Sequence, residues 1–251
     1  MIKSVSCTIM VYNEERTLVD AVSEVHGALS ELKREFEILV VDDGSTDRSA
    51  EIARSLEQRY AEVKLLRHPK NLGPGSAILT GIRNSRKDII CFHPADQQVD
   101  FRQIASLLPL LDEHDLVVCS RSGRPGYTMM RRLASQTYIQ LARRLFGLGD
   151  YDDFNFIHLY RRELLESMPI QSDGVFMCTE ILVRALDSGA RVARAQADCH
   201  PRRVGVSACF RPRVIAKTLI ELSRFLGQRL GAAHAATKLC RTPTDRCLKE
   251  N

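Results

Sequence analysis

An α/β fold, with a mainly parallel sheet flanked by helices, is what this 251-residue sequence predicts. The first observation behind it is alternation: strand-like runs rich in Val, Ile and Leu are followed by helical segments, and the pair repeats four times. The second is where the polar motifs fall, at the carboxyl ends of those runs, which is where parallel sheets gather ligands. The third is length, which suits one α/β domain with a C-terminal extension better than two full domains.

The strand-like runs are SVSCTIMV (4–11), FEILVVDD (36–43), VKLLRHP (63–69), DIICFHPAD (88–96) and DLVVCSR (115–121). Between them RTLVDAVSEVHGALSELKREF, DRSAEIARSLEQRYA, GPGSAILTGIRNSR and FRQIASLLPLLDEH carry apolar residues at spacings of three and four, so each reads as a helix. The second half is less regular. MRRLASQTYIQLARRLFG is a basic amphipathic helix, DYDDFNFIHLYRRELL mixes loop and strand character, and TEILVRALDSGARV is a helix ended by Gly189. A further basic helix covers 211–239, and a polar, disordered tail is expected from about Arg241.

Hydrophobic residues make up 44% and charged residues 27%, ordinary values for a chain with a substantial core. The net charge of +5 is unevenly placed: Arg and Lys crowd 121–144 and 200–249, which points to an anionic partner for the later half. Nucleic acid is the weakest candidate, because the basic residues are not interleaved with aromatics. The eight cysteines form no CxxC pair and several lie in apolar runs, so they read as buried thiols. No apolar stretch approaches 18 residues, and nothing at the N-terminus resembles a signal peptide, so a cytoplasmic protein is expected.

Four motifs carry the chemistry. In VDDGSTDRS, Asp42 and Asp43 leave a strand, Gly44 permits a tight turn, and Ser45 or Thr46 can cap the next helix. Adjacent carboxylates there can accept hydrogen bonds from ribose hydroxyls or base N–H groups, or can simply cap a helix. YNEER adds Glu14 and Glu15 at a neighbouring strand end. HPKNLGPG offers backbone N–H groups at Gly73 and Gly75 to a phosphate, with Lys70 and Asn71 as side-chain donors. HPADQQVD places Asp96, Gln98 and Asp100 within five residues, a set that suits a hard divalent cation bridging to a diphosphate, while His93 reads as a structural hydrogen-bonder.

Taken together, VYNEE (11–15), DDGSTD (42–47), NLGPGSA (71–77), ADQQVD (95–100), CSR (119–121), LYRREL (159–164) and HPRRVGVS (200–207) resemble the inverting family 2 glycosyltransferases. The resemblance is to their polyprenyl-phosphate, dolichol-phosphate mannose synthase-like branch. It implies a single Rossmann-like glycosyltransferase A-type domain at 1–210, with a nucleotide-sugar-binding half at 1–120 and an acceptor half at 121–210. Residues 211–240 are then an amphipathic helical extension and 241–251 a tail.

The same resemblance implies that Tyr12, Glu14 and Asp43 contact the nucleoside of a UDP- or GDP-linked sugar, with Lys70, Asn71 and Asp96 also on the donor. Asp96 and Gln98 would bind Mg2+ or Mn2+. Arg121, Arg131, Arg202 and Ser207 would receive the phosphate of a polyprenyl-phosphate acceptor, a role that suits the forked, permanently charged guanidinium. Asp152, with Asp153 beside it, is the candidate base for a hydroxyl acceptor. Three departures from the family pattern stand out: Pro94 where an acid is usual before Asp96, Asn155 and Phe156 in place of a small pair, and Ala208 in place of a Lys.

Transfer to a soluble sugar or natural-product hydroxyl, or sugar-nucleotide binding without catalysis, uses the same donor half. The amphipathic helices near 129–146 and 211–230 fit peripheral contact with the inner face of a membrane, packing on the sheet, or a homodimer surface.

Overall fold

The structure is a computed structural model and describes residues 4–201 and 212–239. Seven strands form one sheet in the order β3-β2-β1-β4-β6-β5-β7. They are β1 (Ser4–Val11), β2 (Glu35–Asp42), β3 (Val63–Arg67), β4 (Ile89–Pro94), β5 (Leu116–Arg121), β6 (Ile157–Arg161) and β7 (Val192–Ala197). All run parallel except β6, which lies antiparallel between β4 and β5. The mainly parallel sheet expected from the alternation is therefore present, with one reversed strand in it.

The first half follows the sequence pattern closely. α1 (Leu18–Glu31), α2 (Ser49–Arg59) and α3 (Pro74–Asn84) connect the first four strands. β1 is central and buried almost throughout, as a strand covered on both faces must be. FRQIASLLPLLDEH departs from expectation: it divides into α4 (Phe101–Ala105) and a 3-10 turn at Leu108–Asp112. Pro109 supplies no backbone N–H and cannot sit inside a continuous helix.

In the second half α5 (Met129–Phe146) ends at Gly147, whose φ of 70° closes the helix in the left-handed region. α6 (Arg162–Glu166) is short, and α7 (Met177–Asp187) runs up to the turn at Gly189. β7, hidden in the sequence by Arg194 and Gln196 between its apolar positions, pairs with β5 at the sheet edge. α8 (Pro212–Leu239) packs onto this body through Leu222 and Phe225, with Phe225 against the rings of Phe146 and Phe176. No helix among the described residues is long and apolar enough to cross a membrane. Residues 241–251, expected as a tail, lie outside the described residues.

Candidate active site

The strand order places the ends of β2 and β4 on either side of β1. Asp43 N–H donates to Val11 O, and Ala95 N–H donates to Met10 O, so the chain leaves all three strands at the same level. At about 4.8 Å per strand, the backbones bearing Asp43 and Asp96 stand on the order of 10 Å apart across the end of β1. The acids of the two motifs therefore border one crevice.

The loops after β1 and β2 are tied to each other. Asn13, at φ 56°, donates its N–H to Ser45 Oγ and accepts from the Thr46 N–H through Oδ1 at 2.8 Å. Glu14 N–H donates to Ser49 Oγ, and Glu15 N–H donates to Asp47. Burial alone would raise the Asp47 carboxyl, but hydrogen bonds from Ser49 and Glu15 hold it below the usual range. The Glu14 side chain is 8% exposed and its Oε2 accepts from Thr17 Oγ at 3.1 Å; Tyr12 beside it is half-buried.

Asp43 is engaged differently from expectation. It is buried, and its carboxylate accepts the N–H of Leu72 (2.9 Å) and of Gly73 (2.8 Å), with His68 Nδ1 2.7 Å away. His68 Nε2 continues the chain to Thr80 Oγ at 2.8 Å. Three protein donors hold this carboxylate, and through them it fixes the loop that carries Lys70 and Asn71. The expected phosphate cradle changes too, because the Gly73 N–H points at Asp43. Gly75 serves close packing instead, since a Cβ there would lie 2.2 Å from Gly174 O. Lys70 and Asn71 remain exposed at the rim.

Beyond β4, Asp96 Oδ1 accepts the N–H of Gln98 at 3.2 Å. Gln98 in turn exchanges hydrogen bonds with His200, accepting its N–H at 2.7 Å and donating Nε2 to its carbonyl at 3.2 Å. Asp100 is the N-cap of α4, accepting from Arg102 N–H, so the metal set suggested by the spacing shrinks to Asp96 and Gln98. Among the described residues no three His, Cys, Asp or Glu side chains gather as a self-sufficient metal site. One carboxylate and one amide are nevertheless what a Mg2+ or Mn2+ ion sharing its ligands with a diphosphate asks of the protein. His93 is fully buried against Phe101, and neither ring nitrogen has a hydrogen-bond partner among the described residues, so burial, not hydrogen bonding, defines it there.

The basic side of the crevice is a cluster around Asp153. This carboxylate, 5% exposed, sits 2.9 Å from Arg121 Nε and 3.3 Å from an Arg124 terminal nitrogen, and Oδ1 accepts the N–H of Asn155 at 3.2 Å. Arg121 also donates to the carbonyl of Asn155 and to the Tyr127 hydroxyl, and it stacks on Phe156 at 4.7 Å. Arg131 lies over the Tyr127 ring at 3.7 Å. Of the two acids expected at the base position, Asp153 is buried between two guanidiniums. Asp152 is exposed, with no hydrogen bond or ion pair among the described residues, and is the open member of the pair. Arg161 and Arg162, a few residues further on, turn instead to Asp115 and Glu166.

Cys199 joins the two sides. The half-buried thiol is raised by burial, lowered by the charges of Arg121 and Arg131, and raised by those of Asp96 and Asp153. The segment that carries it bonds to both sides, His200 to Gln98 and Ala197 O to the Ser122 N–H. Sequence reading missed Cys199, Arg124, Tyr127 and His68. The turn-forming SGRPGY segment is the signal that returns Arg124 and Tyr127 to the strand end. Arg202 and Ser207, expected at the acceptor phosphate, lie outside the described residues.

Comparison with known proteins identifies the family and the fold. Residues 6–168 match the model of glycosyl transferase family 2. An undecaprenyl-phosphate 4-deoxy-4-formamido-L-arabinose transferase of Pectobacterium carotovorum is 33% identical over 171 residues, 66% of this chain and 51% of the relative. A protein of the same name from Pseudomonas aeruginosa is 35% identical over 167 residues, 65% of this chain and 49% of the relative. The chain spans about half the length of the curated relatives it matches.

Among solved structures, glucosyl-3-phosphoglycerate synthase from Mycobacterium tuberculosis, crystallised with Mn2+, UDP-glucose and phosphoglyceric acid, superposes with a TM-score of 0.69 at 20% identity, covering 90% of this chain and 80% of that one. Mannosyl-3-phosphoglycerate synthase from Rubrobacter xylanophilus gives 0.62 at 16% identity, covering 100% and 79%. The fold is that of the A-type glycosyltransferases, and the chain belongs to glycosyl transferase family 2.

Proposed function

We propose that this chain transfers a sugar, with inversion, from a UDP- or GDP-linked donor to a phosphate-bearing acceptor, with a polyprenyl phosphate as the acceptor class. The observation that carries the reading is the 197–200 segment that links two charged clusters: His200 exchanges hydrogen bonds with Gln98 beside Asp96, while Ala197 O accepts the N–H of Ser122 next to Arg121. A departing nucleoside diphosphate and an arriving phosphate are both anionic, and they need separate cationic partners. The names of the relatives support the lipid acceptor.

In this reading Tyr12, Glu14, Lys70 and Asn71 border the donor, and Asp43 sets the 68–73 loop. Asp96 and Gln98 would hold a divalent metal, whose chemistry would be to stabilise negative charge on the departing diphosphate. An oxygen of the acceptor phosphate, positioned by Arg121, Arg131, Arg202 and Ser207, attacks the anomeric carbon from the face opposite the leaving group. The C–O bond to the diphosphate breaks and the nucleoside diphosphate departs. A phosphate oxygen is already anionic, so no base is required for it; a hydroxyl acceptor would pass its proton to Asp152. The start of α5, with Met129, Met130 and Leu133 exposed beside Arg131 and Arg132, is where a membrane bearing the lipid would touch the protein.

A thermal-shift series with UDP and GDP, with and without Mn2+, tests the donor half. One of the two nucleotides raises the melting temperature further when Mn2+ is present, and Asp96→Ala removes the metal-dependent part. A chain that responds to neither nucleotide would overturn the reading.

A further inference from the structure

We propose that Arg124 is a second guanidinium for the acceptor phosphate, and that Asp153 is the positioning anion that holds Arg121 and Arg124 side by side to receive it. This rests on the reading that the acceptor is a phosphate monoester.

Four features of the cluster argue for it. Two guanidiniums face one carboxylate, so the buried group keeps an excess positive charge of one that a further anion would neutralise. Both arginines are largely shielded from water, with side-chain exposures of 14% and 19%, and charge confined in that way acts more strongly than charge on an open surface. Arg124 is incompletely satisfied: one terminal nitrogen donates to Asp153, while its Nε is buried without an acceptor among the described residues. A buried donor left without a partner costs free energy that an arriving phosphate oxygen would offset.

Finally, the loop is built to deliver this side chain. Gly126, at φ 74°, turns the chain back so that the Tyr127 hydroxyl meets Arg121 while the Tyr127 ring carries Arg131. Arg121, Arg124 and Arg131 are thereby gathered around one aromatic ring and one carboxylate. Asp153 acts through the arginines and touches no reacting atom.

Isothermal titration of the full chain with geranyl phosphate, and separately with inorganic phosphate, tests the assignment. Arg124→Gln weakens both by about tenfold or more, as loss of a charged hydrogen bond implies. Arg124→Lys recovers part of the loss, and nucleoside diphosphate binding with Mn2+ is unchanged in both. Asp153→Asn also weakens phosphate binding, even though it removes a negative charge, because the two guanidiniums lose their common anchor.

Tighter phosphate binding by Asp153→Asn, or wild-type affinity in Arg124→Gln, would overturn the proposal. So would a wild-type chain that binds nucleotide but neither phosphate, an outcome that leaves the donor site standing. Geranyl phosphate binding far tighter than inorganic phosphate assigns the cluster to a lipid monoester, and equal binding assigns it to the phosphate group alone. Circular dichroism confirms that each variant is folded; the Arg124 variants decide the matter if Asp153→Asn does not fold.

Discussion

The Asp43 carboxylate accepts the backbone N–H of Gly73 at 2.8 Å, and through it the end of β2 holds the loop that leads into α3. Leu72 N–H and His68 Nδ1 converge on the other carboxylate oxygen. Asp43→Ala leaves these donors without an acceptor in a mostly buried place, at a cost of roughly 1–3 kcal/mol. Urea denaturation should show that loss, and nucleotide-induced thermal shifts should shrink as the loop carrying Lys70 and Asn71 loses its anchor. Unchanged stability in Asp43→Ala would contradict the role.

Gly44 meets two demands at once. Its φ is 70°, and a Cβ placed there would stand 2.5 Å from the Lys70 carbonyl carbon and 2.8 Å from Asn71 N. Gly126, with φ 74°, has nothing within 4 Å of its added Cβ and so isolates the conformational part. Gly126→Ala should cost about 1–2 kcal/mol from the left-handed backbone alone. Gly44→Ala should cost about 1–3 kcal/mol more, because backbone atoms must move aside. Denaturation midpoints of the two variants make the comparison, and equal costs would mean that the Lys70 backbone yields freely.

The donor half could be read from sequence because its determinants are local. Each strand-like run from 4 to 96 is a continuous apolar segment that ends in an acid or a turn residue, so strand, turn and helix follow from neighbouring letters. The partners of those acids could not be read that way. Asp43 bonds to residues 25 to 30 positions away, and nothing in DDGSTD distinguishes a carboxylate facing ribose from one facing Gly73. The acceptor half was harder still, because β6 inserts antiparallel between β4 and β5 and brings Asp153 beneath Arg121 from 32 positions away. Pro109 was a local signal passed over: it splits a segment whose apolar spacing alone read as one helix.

Asp152 separates the two acceptor classes. A phosphate oxygen needs no proton removed, so Asp152→Asn should change transfer to geranyl phosphate by only a few fold. With a hydroxyl acceptor the same variant removes a general base, a loss on the order of 100- to 10,000-fold. Initial rates with the two acceptor types provide the test. A large loss with geranyl phosphate would return Asp152 to a direct part in phosphate transfer.

His93 and His158 set an acid limit on stability. Burial pushes both imidazoles down to about 4 from an ordinary value near 6.5, against smaller raising effects of Asp100 on His93 and of the Phe154 backbone and Asp153 on His158. Between those pH values the unfolded chain binds protons that the folded chain refuses, so stability present above about 6.5 is lost as pH falls toward 4. Each histidine contributes on the order of 3 kcal/mol to that loss. Melting temperatures measured from pH 7 down to 4.5 should fall steadily, and His93→Leu should flatten part of the slope. A slope identical to that of wild type would show that His93 already takes up its proton in the fold.

The start of α5 makes the last prediction. Only Ile139 and Ala142 of this 18-residue helix are buried, while Met129, Met130 and Leu133 stand 85%, 68% and 59% exposed next to Arg131 and Arg132. Exposed apolar side chains flanked by arginines suit an anionic lipid surface, where the apolar tips enter the headgroup boundary and the guanidiniums meet phosphate. Because Arg131 also rests on Tyr127, which bonds Arg121, the exposed first turn of α5 and the arginine cluster are one continuous structure. A lipid acceptor would then reach the cluster without leaving the bilayer. Flotation with phosphatidylglycerol vesicles should carry the wild-type chain upward, and Met130→Glu with Leu133→Glu should reduce the floating fraction severalfold. The same double variant should keep its affinity for water-soluble geranyl phosphate, since neither side chain belongs to the arginine cluster. If the helix instead buries this face against a second copy, flotation will not respond to the substitutions, and sedimentation of the wild type will show a dimer that the variant lacks.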